Sequence, residues 1–479
     1  MQKFILVLFS LSIVTVLYAQ KRTTGMKIDN QRYSKIKRTA PMTKGVYDAL
    51  PVSSSLEKYA PKPGDQGYFG TCVGWSTGYA ARTILYAKSK KLTDKDEITK
   101  NAFSASYIYN QLKEKEDLQC ANGIFIDQAM QLIVDKGSAV LNDYSYQCDT
   151  IVNEDIVKKA LSYKTRDYKK LFNTKSTQDE KVLAVKKAIV EGQPVVIGFN
   201  IPDSFFDSGV IWKPDSLDNP EHMYQGHAMC VIGYDDLKEG GAFRIMNSWG
   251  TGWADSGFVW VKYADFSNYC LYAYEMIALP IENPELAGSL VFKLIDGKDM
   301  SAVKKIMTKG YIVVESDIKG SKEEALTAYV MKGIYTSGTK FRFYIKNNKP
   351  AYLYALASDS ATAAVNKIFP YKEDISPFLG YANSEIAIPS EKAYIKMDEK
   401  KGVDYLCIFY SENPLEIDNI VIEMNKLKGS FSEKITTVFG EKLVPFNQVN
   451  YNSSEITFSA KLINNMSFVV PLMVQIGHK

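Results

Sequence analysis

Apolar and polar positions repeat with two different periods along this chain, and the change from one to the other divides it. Over residues 72–89, CVGWSTGYAARTILYAKS keeps Trp75, Tyr79, Ala80, Thr83, Leu85 and Tyr86 to one side, the spacing of an amphipathic helix. A second helical stretch is expected over residues 105–115, and IDQAMQLIVDK gives a third, stopped by Gly137. VLAVKKAIVEG is a fourth, with Ser176-x-x-Asp179 as its predicted capping box and Gly192 as its end. The period then falls to two. Residues 194–199, 228–234, 243–246 and 258–263 read as strands. Helices first and strands later predict an α+β unit with the two kinds of element segregated. After Leu279-Pro280 short β segments dominate, among them FRFYIKN, PAYLYALASD, YLCIFYS and ITFSAKLI, parted by Gly, Asn, Ser and Pro. That texture predicts a β-rich, sandwich-like domain.

The first residues follow neither period. Lys3 precedes an apolar run over residues 4–17, and the small Ala19 follows. This is the pattern of a secretory signal peptide over residues 1–19. The run is shorter than the ~20 residues a membrane-spanning helix needs, so stable membrane insertion is not expected. Residues 20–49 are basic, polar and aperiodic, and are expected to form a flexible arm. The organisation predicted is therefore signal peptide, arm, an α+β domain over residues 50–280, a linker, and a β-rich domain over residues 290–479. An exported protein follows, whether secreted, periplasmic or on the cell surface.

Composition narrows the chemistry. The 479 residues are 46% hydrophobic and 23% charged, and the net charge of +4 comes from 58 basic and 54 acidic side chains. So small an excess excludes a dedicated nucleic-acid binder, which needs clustered Lys and Arg. Six cysteines show no C-x-x-C pair, so no zinc site, and neither metal nor cofactor, is expected. Cys230 and Cys407 lie in apolar strands and read as core. Only three histidines, His222, His227 and His478, can supply an imidazole.

Cys72 is set apart because DQGYFGTCVGW puts it among glycines where a helix begins. There the helix dipole favours thiolate over thiol. Gln66, six residues earlier, is an amide donor that a turn can fold back beside the sulfur, to share an oxyanion hole with the Cys72 N–H. A base is supplied far downstream: GHAMCVIGYDD places His227 immediately before a strand. NSWGTGW places Asn247 at the end of the next strand, where its oxygen can fix the imidazole tautomer.

These three motifs, in order across residues 50–280, resemble the active-site motifs of papain-like cysteine peptidases. The resemblance implies a two-lobed fold, peptide or protein substrates, Cys72 as nucleophile, His227 as general base and acid, Asn247 as its orienting partner and Gln66 as oxyanion donor. It implies that Trp249 shields the His–Asn pair and lines the substrate site. It also makes Gly123, in Cys120-Ala121-Asn122-Gly123, a residue that pairs with substrate backbone. The family's usual disulfide partner three residues before the nucleophile is Phe69 here, so Cys120 either pairs with Cys148 or stays reduced. About 30 residues between signal and domain are too few for the family's long inhibitory propeptide. The β-rich half resembles, more weakly, an uncharacterised bacterial domain attached to peptidases and kinases. Two other functions fit the same residues: a non-catalytic papain-like binding protein, and a transglutaminase-like acyltransferase.

Overall fold

The computed structural model describes residues 22–278, 285–305, 307–308, 311–312, 326–461 and 468–479. The predicted signal peptide lies outside them. Among the described residues no helix is long and apolar enough to cross a bilayer.

The helix that opens at Cys72 runs unbroken to Lys90, with α-helical turns over Cys72–Gly74 and Thr83–Lys90 and wider π turns over Trp75–Arg82 between them. The hydroxyls of Ser76 and Thr77 both donate to the Val73 carbonyl, a competition for backbone acceptors that accompanies the widening. Gly74 and Gly78 let the helix Ala105–Leu112 come very close. A Cβ on Gly74 would sit 2.4 Å from the Ala105 oxygen. The helix Ile126–Lys136 ends, as expected, at Gly137, whose φ is +75°. The next helix, Gln178–Val190, is capped one residue later than predicted. Thr177 accepts from the Glu180 N–H while the Glu180 carboxylate reaches back to the Thr177 N–H. Glutamate at that third position can make the return bond; Asp179 stands one place too early to do so.

Against these helices stands an eight-stranded sheet. Its order is Asp167–Lys170, Cys270–Ile277, Val195–Ile201, Gln225–Asp235, Ala242–Met246, Phe258–Lys262 and Ile211–Trp212, with Ser53–Ser55 paired beside Gln225–Asp235. The four predicted strands are all present. His227 lies within Gln225–Asp235 rather than before it. The buried faces of the Cys72 helix and the sheet meet directly: Ser76, Tyr79 and Ala80 face Ala228, Met229 and Met246 around a void of only about 10 Å³.

The β-rich half begins with the strand Glu285–Leu294 and contains two larger sheets. In one, Thr327–Tyr335, Val469–His478, Gly402–Ser411 and Ala351–Asp359 lie side by side. In the other, Lys340–Asn347 and Thr457–Lys461 flank Glu285–Leu294. They face each other as a sandwich, with Tyr410 of the first against Phe458 of the second, ring centroids 4.7 Å apart. Two helices that the strand pattern did not announce, Ile417–Lys426 and Phe431–Phe439, cover the first sheet; Ser430 and Glu433 form a capping box on the second helix.

The expectation of a flexible arm is corrected. From residue 22 the chain is laid against both halves, and Met26, Tyr33, Ala40 and Met42 are buried. Tyr33, in the short helix Asn30–Ser34, stacks at 4.5 Å on Tyr272 and sends its hydroxyl to the Phe172 carbonyl at 2.8 Å. No internal apolar period was needed, because the surfaces that order this stretch belong to other parts of the chain.

Candidate active site

Every side chain singled out by the three motifs comes to one cleft between the helices and the sheet. Gln66, Cys72, His227 and Trp249 are fully buried, and Asn247 nearly so. The hairpin of Gln225–Asp235 and Ala242–Met246, paired Cys230 to Met246, brings His227 and Asn247 together. His227 Nε2 and Asn247 Oδ1 are 2.7 Å apart. Because an amide oxygen only accepts, Nε2 carries the proton and Nδ1 is left as the basic nitrogen. That Nδ1 is buried with no hydrogen-bond partner among the described residues. The next N–H along the strand, of Ala228, donates to the Cys72 sulfur at 3.4 Å. Trp249 stacks on the imidazole, centroids 4.6 Å apart and planes 25° from parallel, and is itself stacked on Phe206. The ring pair is thereby closed off from water on that face.

Gln66 is held as an amide donor. Its Oε1 accepts from the Ser248 hydroxyl at 2.7 Å, which turns the Nε2 group toward the cleft. Its own main chain is fixed by Ser248, whose carbonyl accepts the Gln66 N–H, and by the Tyr146 hydroxyl on the Gln66 carbonyl. Ser248 and Tyr146 were not among the residues expected. Ser248 stands in the same NSWG motif as Asn247, so a signal for it was present.

The loop after residue 117 shapes the far wall. Cys120 and Cys148 are joined by a disulfide, with Cα atoms 5.9 Å apart. Inside the loop the Asp117 carboxylate accepts from the Tyr109 hydroxyl and the N–H groups of Ala121 and Asn122. Burial alone would push the Asp117 carboxyl up, but these bonds outweigh it and hold it below its usual value. The Gly123 N–H is taken by the Tyr109 hydroxyl at 2.9 Å.

The cleft is occupied, and by the chain itself. Residues 22–28 run through it from Trp249 to Ile124. Arg22 donates to the Trp249 carbonyl. The Thr23 carbonyl takes the Gln66 Nε2 at 3.0 Å, so the amide aimed at the cleft is already spent on it. Gly25 and Lys27 pair with Ile124 as parallel β partners: the Ile124 N–H bonds the Gly25 carbonyl at 3.0 Å and the Lys27 N–H bonds the Ile124 carbonyl at 3.1 Å. Main-chain pairing on this wall therefore passes through Ile124, while Gly123 gives room, since a Cβ there would lie 2.1 Å from the Gly25 oxygen. On the opposite wall the Met26 N–H bonds the Gly226 carbonyl. The Met26 side chain fills a pocket beside Gly198, Gly226 and Tyr272, where a Cβ on Gly198 would touch the Met26 sulfur at 2.5 Å.

Burial dominates the electrostatics of the pair. Burial pushes the Cys72 thiol up to about 12, against N–H groups of Ala228, Val73, Gly25 and Cys72 itself, which favour the thiolate. Burial likewise pulls the His227 imidazole down to about 4, the Asn247 bond acting the other way. Both shifts favour the neutral forms. Among the described residues no cluster of His, Cys, Asp and Glu is arranged to hold a metal ion.

Comparison with known proteins matches both halves of the chain. A family model described as papain family cysteine protease matches residues 54–279, and a second, described as a domain of unknown function (DUF4384), matches residues 334–414. An uncharacterized peptidase C1-like protein of Acanthamoeba polyphaga mimivirus is 24% identical over 266 residues, 51% of this chain and 78% of that one. A cathepsin L-like peptidase of Aedes aegypti is 28% identical over 200 residues, covering 41% of this chain and 53% of its own. The chain thus spans about half the length of that relative. Among solved structures, xylellain, a cysteine protease from Xylella fastidiosa, aligns with a TM-score of 0.43 and 22% identity over 54% of this chain and 97% of its own.

Proposed function

We infer that this chain, whose residues 54–279 are a papain-family cysteine protease domain, hydrolyses peptide bonds through a Cys72–His227–Asn247 triad. The observation that carries this reading is the 2.7 Å contact of Asn247 Oδ1 with His227 Nε2, which leaves Nδ1 as the basic nitrogen, while the N–H of the adjoining Ala228 contacts the Cys72 sulfur.

The chemistry follows from that tautomer. With substrate in the cleft in place of the arm, His227 Nδ1 takes the Cys72 proton and the thiolate attacks the peptide carbonyl carbon. The oxygen that becomes negative is met by the Gln66 amide and the Cys72 N–H, donors already oriented before charge develops. Collapse breaks the C–N bond as the imidazolium protonates the leaving amine. A water molecule, giving its proton to His227, then splits the thioester, and the proton returns to the Cys72 sulfur. In this reading the neutral pair that burial favours beneath the arm is the resting form. Water and substrate in the cleft lower the burial cost of the ion pair and bring the thiol back toward reactivity.

Export belongs to the same reading. The basic residue and apolar run at the start of the chain support it, and so does the Cys120–Cys148 disulfide, a bond suited to oxidising compartments. The test of function is turnover of an unstructured peptide by the exported chain and by its Cys72→Ala variant. Equal turnover by both would reject the triad; the amino-terminal residue of the exported protein, expected at Gln20, tests the signal.

A further inference from the structure

The strap that fills the cleft does not end there. Residues 37–44 of the same stretch are woven between the two halves of the molecule. Arg38 forms parallel bridges to Lys170 on one side and to Ile375 of the β-rich half on the other. Its N–H donates to the Asp374 carbonyl at 2.6 Å, and its carbonyl accepts the Ser376 N–H at 2.8 Å. Thr43 is bound twice by Glu385, through its N–H and its hydroxyl, both at 2.9 Å, and the Lys44 N–H donates to the Glu391 carboxylate at 2.7 Å. At the centre lies Glu275, a fully buried carboxylate of the protease domain. One oxygen accepts from the Thr39 hydroxyl at 2.7 Å and the other from the Tyr381 hydroxyl. Protease domain, strap and β-rich half are therefore joined at one carboxylate, and loss of either the strap or the β-rich half leaves it short of a partner.

We propose that the β-rich half is the lock of the cleft: by clamping residues 37–44 it keeps residues 22–28 seated over Cys72. This rests on the reading of Cys72 as a nucleophile. The seat alone is thin. Seven extended residues are ordered by one buried side chain, Met26, and a handful of hydrogen bonds to groups that water would otherwise satisfy, and the net return of such bonds is small against the entropy of ordering the segment. Clamping residues 37–44 between the two halves keeps the effective concentration of residues 22–28 at the cleft high. The clamp is also built to part. It is largely polar, and a cavity of about 270 Å³ opens inside it between Thr39, Met42, Leu171, Phe172, Lys187 and Tyr381. Such an interface resembles those at which domains move. The competing anchor is Tyr33, which pins the strap to the protease domain alone.

The experiment measures alkylation of Cys72 by iodoacetamide in the full exported chain, alongside peptide turnover. Met26→Glu puts a charge into the apolar pocket, expels the strap and sets the ceiling for both rates. The clamp variant Thr39→Val/Thr43→Val/Tyr381→Phe touches nothing in the cleft. Its alkylation rate is expected to rise roughly tenfold toward that ceiling, as loss of several hydrogen bonds would allow. A clamp variant that stays at the wild-type rate while Met26→Glu is fast would overturn the proposal and leave Tyr33 as the anchor. A Met26→Glu rate equal to wild type would overturn it as well, since the strap would then shield nothing. Fast alkylation in both variants with no peptide turnover in any would support the lock and reject the peptidase reading instead. Should the triple variant fail to fold, hydrogen exchange of the wild-type chain decides: amides of Met26 and Lys27 exchanging together with Ser376 support the lock, and exchange of the strap alone overturns it.

Discussion

Two segments of this molecule reach the same sulfur atom, and they are ordered in opposite ways. The helix that opens at Cys72 carries its own apolar side and packs through Gly74 and Gly78 onto the helix Ala105–Leu112. The strap over residues 22–28 has no period and no partner within itself. It is extended because Ile124 and Gly226 offer it main-chain groups and because Gly70 and Gly123 leave room for it. Order in the first is intrinsic to the sequence; in the second it is borrowed. The helix should thus answer to changes in stability, and the strap to changes in access to the thiol.

Removing the sulfur gives the largest effect. Cys72→Ala should reduce peptide turnover to below about a hundredth of wild type, as for other residues that act as a unit in catalysis. The thermal midpoint should move by no more than ~2 °C, and calorimetry beside a peptide assay checks both. Gln66→Ala, which deletes the amide we propose as an oxyanion donor, should lower kcat roughly 10²-fold with little change in KM. A rise in KM alone would mean that Gln66 binds substrate and not the transition state.

The comparison itself is sharpened by a pair of identical substitutions. Gly74→Ala drives a methyl into the Ala105 carbonyl, 2.4 Å away, and should cost the fold about 1–3 kcal/mol in urea unfolding. Gly25→Ala meets the Gly70 oxygen at 1.9 Å, a worse collision, yet should leave the unfolding midpoint nearly unchanged and speed alkylation of Cys72. The strap can leave and the helix cannot. If Gly25→Ala destabilises as strongly as Gly74→Ala, the strap is part of the core and the contrast fails.

Much of this was legible beforehand. The strand and helix periods located the elements around the cleft, and Gln66, Cys72, His227, Asn247 and Trp249 all stand in motifs whose chemistry can be read one residue at a time. The strap was not legible, because a segment ordered by distant surfaces carries no signal in its own pattern; basic and polar residues such as Lys27 and Arg32 look solvated until Glu114 and Asp127 are placed beside them. The capping box slipped by one residue because Ser176 and Thr177 are chemically similar, and only the reach of Glu180 separates them. Tyr146 and Asp117 act through bonds to residues far along the chain or to loop amides, so spacing gave no hint of them. The two helices of the β-rich half were hidden by the strands around them.

The smallest effect concerns pH. Burial holds the folded His227 at about 4, below the 6.5 of an exposed imidazole, so the folded state binds fewer protons than the unfolded chain between those values. That contribution to stability is complete above about pH 6.5 and is lost as the pH falls toward 4. Urea midpoints at pH 7, 5.5 and 4.5 should decline in the wild type, and less steeply in His227→Gln. Gly25→Ala, by opening the cleft to water, should also flatten the decline.

If Cys72 alone carries the chemistry, activity falls in step with its modification. The Met26→Glu chain, with the cleft open, is treated with increasing amounts of an epoxysuccinyl probe, and residual peptide turnover is plotted against the fraction of Cys72 found modified by peptide mapping. A straight line to zero activity at one modification per chain, all of it on Cys72, is expected. Full modification of Cys72 with turnover retained, or loss of turnover with Cys72 intact, would contradict it.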